Sequence, residues 1–181
     1  RMFVAQMRTY MQDAEATDEQ TPTSRISLHE DTDGDGEYDR HTVFIDELLL
    51  PRMILALRKG ELLVNETNTQ DIWLYRDTDG DGVADEKTLW YEGGTRGGNM
   101  EHQQSGMIWG QDNWMYFTYN AWRLRWNGYD KPPTKESTAP NGGQWGLTQD
   151  DNGKPWYVNA GGERGPLNFQ TPIVYGAFNV S

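Results

Sequence analysis

Short apolar bursts punctuated by Gly and Pro, a 46-residue internal repeat and two hairpins of one design together predict an all-β chain. The architecture they point to is a partial β-propeller: three to four four-stranded blades of a six- or seven-bladed ring. Twenty Gly and eight Pro among 181 residues leave little room for long helices, and 12% aromatic residues argue against disorder although only 35% of the chain is hydrophobic. The repeat is the hexapeptide Asp-Thr-Asp-Gly-Asp-Gly, starting at Asp31 and again at Asp77, a separation that matches one blade.

In chain order, residues 1–11 alternate like a strand and 12–24 form a polar loop. Arg25-Ile26-Ser27-Leu28-His29 and Thr42-Val43-Phe44-Ile45 read as strands flanking the first acidic turn. Ile54-Leu55-Ala56-Leu57, a Lys59-Gly60 turn and Glu61-Leu62-Leu63-Val64 follow. Asp71-Ile72-Trp73-Leu74-Tyr75 and Lys87-Thr88-Leu89-Trp90-Tyr91 flank the second acidic turn. Residues 106–117 and 143–158 share a layout: Gly-apolar-Trp-Gly or its near equivalent, then Asp112-Asn113 or Asp151-Asn152, then Trp114-Met115-Tyr116 or Trp156-Tyr157. They read as inner strands of successive blades, and residues 130–141 read as a loop. A helix over residues 46–57 is disfavoured by Pro51. Approximate blades are 1–50, 51–95, 96–140 and 141–181, all within one propeller fragment. Residues 173–181 end on an apolar strand, and so few blades do not close a ring, so the chain is expected to belong to a longer polypeptide. A sandwich would not explain the repeat.

Composition narrows the partners. Sixteen Lys plus Arg against 28 Asp plus Glu give a net charge of −12, with no basic run to track phosphates, which argues against nucleic acid. The longest apolar run, residues 48–57, is broken by Pro51 and Arg52 and is far short of a transmembrane segment. With no Cys the stretch holds no disulfide, thiolate zinc site or covalent haem. The opening Arg1-Met2-Phe3 shows no leader pattern and no initiator Met.

The acidic turns carry the clearest chemistry. Asp31, Asp33, Asp35 and Asp39 occupy positions 1, 3, 5 and 9 of the first, and Asp77, Asp79, Asp81 and Asp85 those of the second. Ca²⁺ takes six to eight hard oxygens, and alternating Asp on a tight turn supplies them, with the backbone carbonyls of Glu37 and Val83 at position 7. Position 12 is Thr42 or Thr88 rather than Glu, and the flanks are strands, so these are not EF-hands. The other reading is a solvated turn in which Asp and Gly serve the backbone alone. Among the three histidines, His29 and His41 flank the first turn as surface residues, whereas His102 lies in the Gly-rich segment 96–106 just ahead of an inner strand. There it suits a general base for a hydroxyl proton, or else a hydrogen-bonded support for its loop. Asn120, Arg123, Asn141, Gln144, Asn159 and Arg164 are further candidates to line a channel end. No nucleophile elbow, phosphate loop or dinucleotide fingerprint occurs.

Asn99-Met100-Glu101-His102-Gln103-Gln104-Ser105-Gly106, followed by Trp109-Gly110-Gln111-Asp112-Asn113-Trp114-Met115-Tyr116, resembles the propeller of large exported proteins of Planctomycetes and Verrucomicrobia, the membrane-bound dehydrogenase-type or cytochrome-c-fused propellers. The paired acidic turns, Asn65-Glu66-Thr67-Asn68 and Gly142-Gly143-Gln144-Trp145-Gly146-Leu147 fit the same pattern. More distantly the chain is similar to soluble quinoprotein sugar dehydrogenases, with His102 and Gly106 in place of their His-x-x-Gly but one residue further apart. The resemblance implies a periplasmic or extracellular location, Ca²⁺, and pyrroloquinoline quinone (PQQ) with Asn99, Gln103, Gln104 and Arg123 as polar contacts. It further implies oxidation of a sugar or alcohol with His102 taking the proton, a cytochrome c as electron acceptor, and any haem outside this chain. The alternative is a non-catalytic propeller, a scaffold or interaction subunit completed by the rest of a parent chain or by neighbouring subunits.

Overall fold

The computed structural model describes residues 1–138, 143–159 and 166–168. The described residues are all-β apart from one short 3-10 turn, Met100–His102. Four antiparallel meanders succeed one another, each strand pairing with its neighbour in sequence, consistent with propeller blades. The first holds β1 (Met2–Gln6), β2 (Ser24–Glu30) and β3 (Arg40–Leu48), and the second β4 (Met53–Ala56), β5 (Glu61–Asn65), β6 (Ile72–Arg76) and β7 (Glu86–Tyr91). The third holds β8 (Ile108–Trp109), β9 (Met115–Tyr116), β10 (Trp122–Arg125) and β11 (Thr134–Ser137). The fourth holds β12 (Gly143–Gln149), β13 (Pro155–Asn159) and β14 (Pro166–Asn168). No described helix is long and apolar enough to cross a membrane. Asn141, Arg164 and residues 173–181, singled out in the sequence, lie outside the described residues, as do the side chains of Gln144 and Asn159.

The chain forms two compact units, Arg1–Arg96 and Gly97–Ser181. In the first, the two sheets share one core of Ile26, Leu28, Phe44, Ile45 and Leu48 with Leu62, Val64 and Tyr75. Each such side chain contributes about 1.5–3 kcal/mol on burial. β5 is buried along its whole length, which explains its unbroken Leu62-Leu63-Val64 run: a strand covered on both faces has no polar side. β1 is its counterpart in the first sheet, because both acidic loops join the two strands that follow it. Only β2 pairs with β1 among the described residues, and β1 is half-buried. In the second unit Trp114, Tyr116 and Tyr157 pack with Ile108 and Leu147, joining the third and fourth sheets.

Two sequence expectations change here. Residues 130–141 are not all loop: β11 pairs with β10 in register Trp122↔Ser137 to Arg125↔Thr134. Its four residues are all exposed, so a polar edge strand left no apolar alternation to read. The two Asp-Asn turns are also not equivalent. Asn113 holds the left-handed position of its turn (φ 66°), whereas in the other turn Gly153 does (φ 72°) and Asn152 precedes it. The Lys59-Gly60 turn places Gly60 likewise, at φ 76°.

Candidate metal centre

The two acidic loops repeat each other bond for bond at the 46-residue spacing. The carboxylate of Asp31 accepts from the Gly34 N–H (2.7 Å) and the Gly36 N–H (3.0 Å); that of Asp77 accepts from Gly80 (2.6 Å) and Gly82 (3.1 Å). Asp33 and Asp79 accept from the N–H of Asp35 and Asp81. Asp35 and Asp81 accept from the N–H of Glu37 and Val83, both 2.8 Å. Asp39 and Asp85 accept from the N–H and hydroxyl of Thr32 and Thr78. This winding requires left-handed backbone at Gly34 and Gly36 (φ 83° and 93°) and at Gly80 and Gly82 (φ 85° and 93°), which fixes Gly at both places in each hexapeptide.

The winding brings carboxylates together. Asp31, Asp33 and Asp35 in one loop, and Asp77, Asp79 and Asp85 in the other, offer oxygens that lie within 4.8 Å of one another. The first Asp of each triad is half-buried and the other two are exposed. Like charges at that range repel by roughly 1 kcal/mol per pair in water, an effect a divalent cation reverses. Hard carboxylate oxygens on an open turn, with room for carbonyls and water, fit Ca²⁺, whose coordination is large and flexible. Asp39 and Asp81 stand outside the triads, and Glu37 and Val83 are exposed beside them. The Thr32 hydroxyl holds the Asp39 carboxyl below its ordinary pKa, so it stays charged as a loop clasp.

The loops differ in one respect that the sequence did not announce. The second is fastened to β3 of the neighbouring sheet. Arg40 Nη2 donates to the Asp81 carbonyl (2.7 Å), Thr42 Oγ1 to the Gly82 carbonyl (3.0 Å), and the Ala84 N–H to the Phe44 carbonyl (2.9 Å). A Cβ on Gly82 would stand 2.8 Å from Thr42 Oγ1. The only signal in the sequence was an Arg and a Thr two residues apart on a strand, which names no partner.

The segment around His102 is built differently. Asn99 caps the 3-10 turn, its side chain accepting from the Glu101 N–H at 2.8 Å. His102 is exposed, with its ring stacked on Tyr119 (5.6 Å between centroids, 8° between planes). Gln103, Gln104 and Ser105 are buried, and Thr118 ties the segment down, its hydroxyl and N–H both donating to the Ser105 carbonyl. Arg123 lies over the Trp114 ring (4.3 Å), bonded to Asp112 (3.3 Å), Glu136 (3.1 Å) and the Tyr116 oxygen (2.7 Å). Burial works against its charge, but Tyr116 and Glu136 outweigh burial and its pKa moves up. Buried amides and a guanidinium already engaged by two carboxylates do not fit a quinone. His29 and His41 face each other across β2 and β3, rings 6.0 Å apart, with Ser27 Oγ 2.9 Å from His29 Nε2. Asn120 lies just ahead of β10, half-buried, its side chain accepting from the Trp122 N–H at 3.2 Å.

An all-β protein of small repeated meanders, two of them bearing an acidic loop suited to a divalent cation, is the class that fold and site define. The chain belongs to the family described as Domain of unknown function (DUF7133), which matches residues 1–175. No curated protein matches it, and no solved structure does.

Proposed function

We propose that the chain is a calcium-stabilised segment of a β-propeller, serving as a scaffold or interaction part of a larger exported assembly. One observation carries this reading: the second acidic loop both gathers carboxylates and is bonded to β3, so a cation there reinforces the joint between two sheets. Calcium titration of the chelated protein, followed by calorimetry and thermal melting, tests it. The expected result is two sites per chain and a melting temperature that rises with Ca²⁺; Asp31→Asn and Asp77→Asn each reduce the stoichiometry to one. No Ca²⁺ uptake at millimolar concentration, or a melting point indifferent to it, would refute the reading.

A second reading is favoured by the setting of His102: the chain contributes to the oxidation of a sugar or alcohol, with His102 accepting the hydroxyl proton while the hydride from the carbinol carbon passes to a two-electron organic cofactor held elsewhere in the assembly, from which a cytochrome c takes the electrons one at a time. Support comes from its exposed ring, held flat by Tyr119 in the segment leading into β8. His102→Ala is expected to abolish sugar or alcohol oxidation by the intact assembly while leaving its melting point unchanged; retained turnover would exclude this role.

A further inference from the structure

Because the two acidic loops are copies, each contact of one predicts a contact of the other. Ala84, Gly82 and Asp81 of the second loop correspond to Tyr38, Gly36 and Asp35 of the first, each 46 residues earlier. The second set is engaged. Ala84 packs against the shared core and its N–H bonds to Phe44; the Asp81 and Gly82 carbonyls take Arg40 and Thr42. The first set faces outward. Tyr38 is 51% exposed, a Cβ on Gly36 would meet nothing within 4 Å, and among the described residues the Tyr38 N–H has no acceptor. Tyr38, whose ring meets His29 edge-on at 6.3 Å, thus stands exposed where its half-buried counterpart packs against the core, next to carbonyls whose counterparts are bonded.

We infer that the flank of the first acidic loop, Asp35 to Tyr38, is a docking surface for the outermost strand of a further sheet of this repeat type. The occupant carries an Arg and a Thr two residues apart, as Arg40 and Thr42 stand on β3. Arg donates to the Asp35 carbonyl, Thr to the Gly36 carbonyl, and a strand carbonyl accepts the Tyr38 N–H. Among the described residues, the last strands of the sheets do not supply this from a second copy: β11 (Thr134–Ser137) and β14 (Pro166–Asn168) carry no Arg. β3 is already engaged by the second loop, and β7 carries Glu86 at the Arg40 position, an acceptor where a donor is needed. The strand therefore comes from a further blade, in the same polypeptide or in an adjacent subunit. The inference rests on reading the sheets as blades, and the test separates the two.

Amide hydrogen exchange is measured on the 181-residue chain and on the protein isolated from its source with its natural neighbours. In the chain alone, Ala84 is expected to exchange about 100-fold more slowly than Tyr38 or better. In the isolated protein, Tyr38 slows by a similar factor. A photoreactive benzoylphenylalanine replacing Tyr38 is then expected to cross-link to a segment with the Arg-x-Thr pair. If Ala84 exchanges fast in the chain alone, the blade reading itself fails. If Ala84 is protected but Tyr38 stays fast in the isolated protein, or the cross-link reaches a segment without that pair, the docking inference alone fails. Protection of Tyr38 that rises with the concentration of the chain alone would put a second copy there and likewise overturn it.

Discussion

Thr42→Val isolates the joint between the first two sheets. The substitution keeps the branched shape on β3 and removes one hydroxyl, whose bond to the Gly82 carbonyl is 3.0 Å long. Thr42 is half-buried and Gly82 is buried, so water reaches the abandoned carbonyl poorly. A net hydrogen bond is worth about 1 kcal/mol and a stranded buried acceptor costs about 1–3 kcal/mol, so the expected loss is roughly 1–2 kcal/mol. In a unit of this size that corresponds to a melting temperature lower by about 4–8 °C per kcal/mol. The repeat supplies its own control: Thr88, 46 residues later on β7, is exposed, and Thr88→Val is expected to cost less than about 0.5 kcal/mol. Urea unfolding of both variants beside the parent chain measures the difference. Equal midpoints for the two variants would show that the Thr42 bond does not hold the sheets together, and would remove the coupling between calcium and blade packing.

Two further outcomes can be measured on the same protein. Asp13, Asp39 and Asp150 are held below the ordinary carboxylate value, chiefly by Thr17, by the Thr32 hydroxyl and by the Trp156 indole. Depressed folded values mean stability that is present above about pH 4 and lost as pH falls through them, so the urea midpoint should drop between pH 5 and pH 3, both values being about the ordinary carboxylate range; a flat or rising midpoint would contradict this. Gly153→Ala meets a left-handed backbone (φ 72°) and the Gln111 side chain, whereas Gly34→Ala (φ 83°) meets open space. Both should destabilise by roughly 1–2 kcal/mol for the backbone, with an added loss at Gly153 only. Equal costs would mean that Gln111 moves aside freely.

Local patterns carried much of the fold and the acidic loops into the sequence. Alternating Asp with Gly at two left-handed positions is both the sign of the loop and its cause, so Asp31, Asp33 and Asp35 were legible without coordinates. The strands around Phe44 and Leu62 were legible because burial imposes its period on the side chains. What escaped depends on partners distant in the chain. Arg40 and Thr42 fasten residues about 40 positions away, and nothing near them signals it. β11 escaped because exposure on both faces erases alternation. Gln103 and Gln104, which the resemblance implied as polar contacts of a quinone, are buried, and burial of a polar pair within a Gly-rich segment has no period to betray it.

The half-buried strand β1 has a practical consequence. Met2-Phe3-Val4-Ala5-Gln6 is a run of five uncharged residues whose outer edge meets no strand among the described residues. Beside it, a cavity of about 400 Å³ runs from Phe3 to Ile54, Leu55 and Leu62. Such an edge recruits any extended chain it meets, including the same edge of another molecule. Where that edge is unpaired in solution, slow, concentration-driven association through β1 is expected, and turbidity on storage would then reflect the edge rather than a poorly folded core. Placing one charge at Val4, or a Pro there, is a simple way to keep it monomeric during biophysical work.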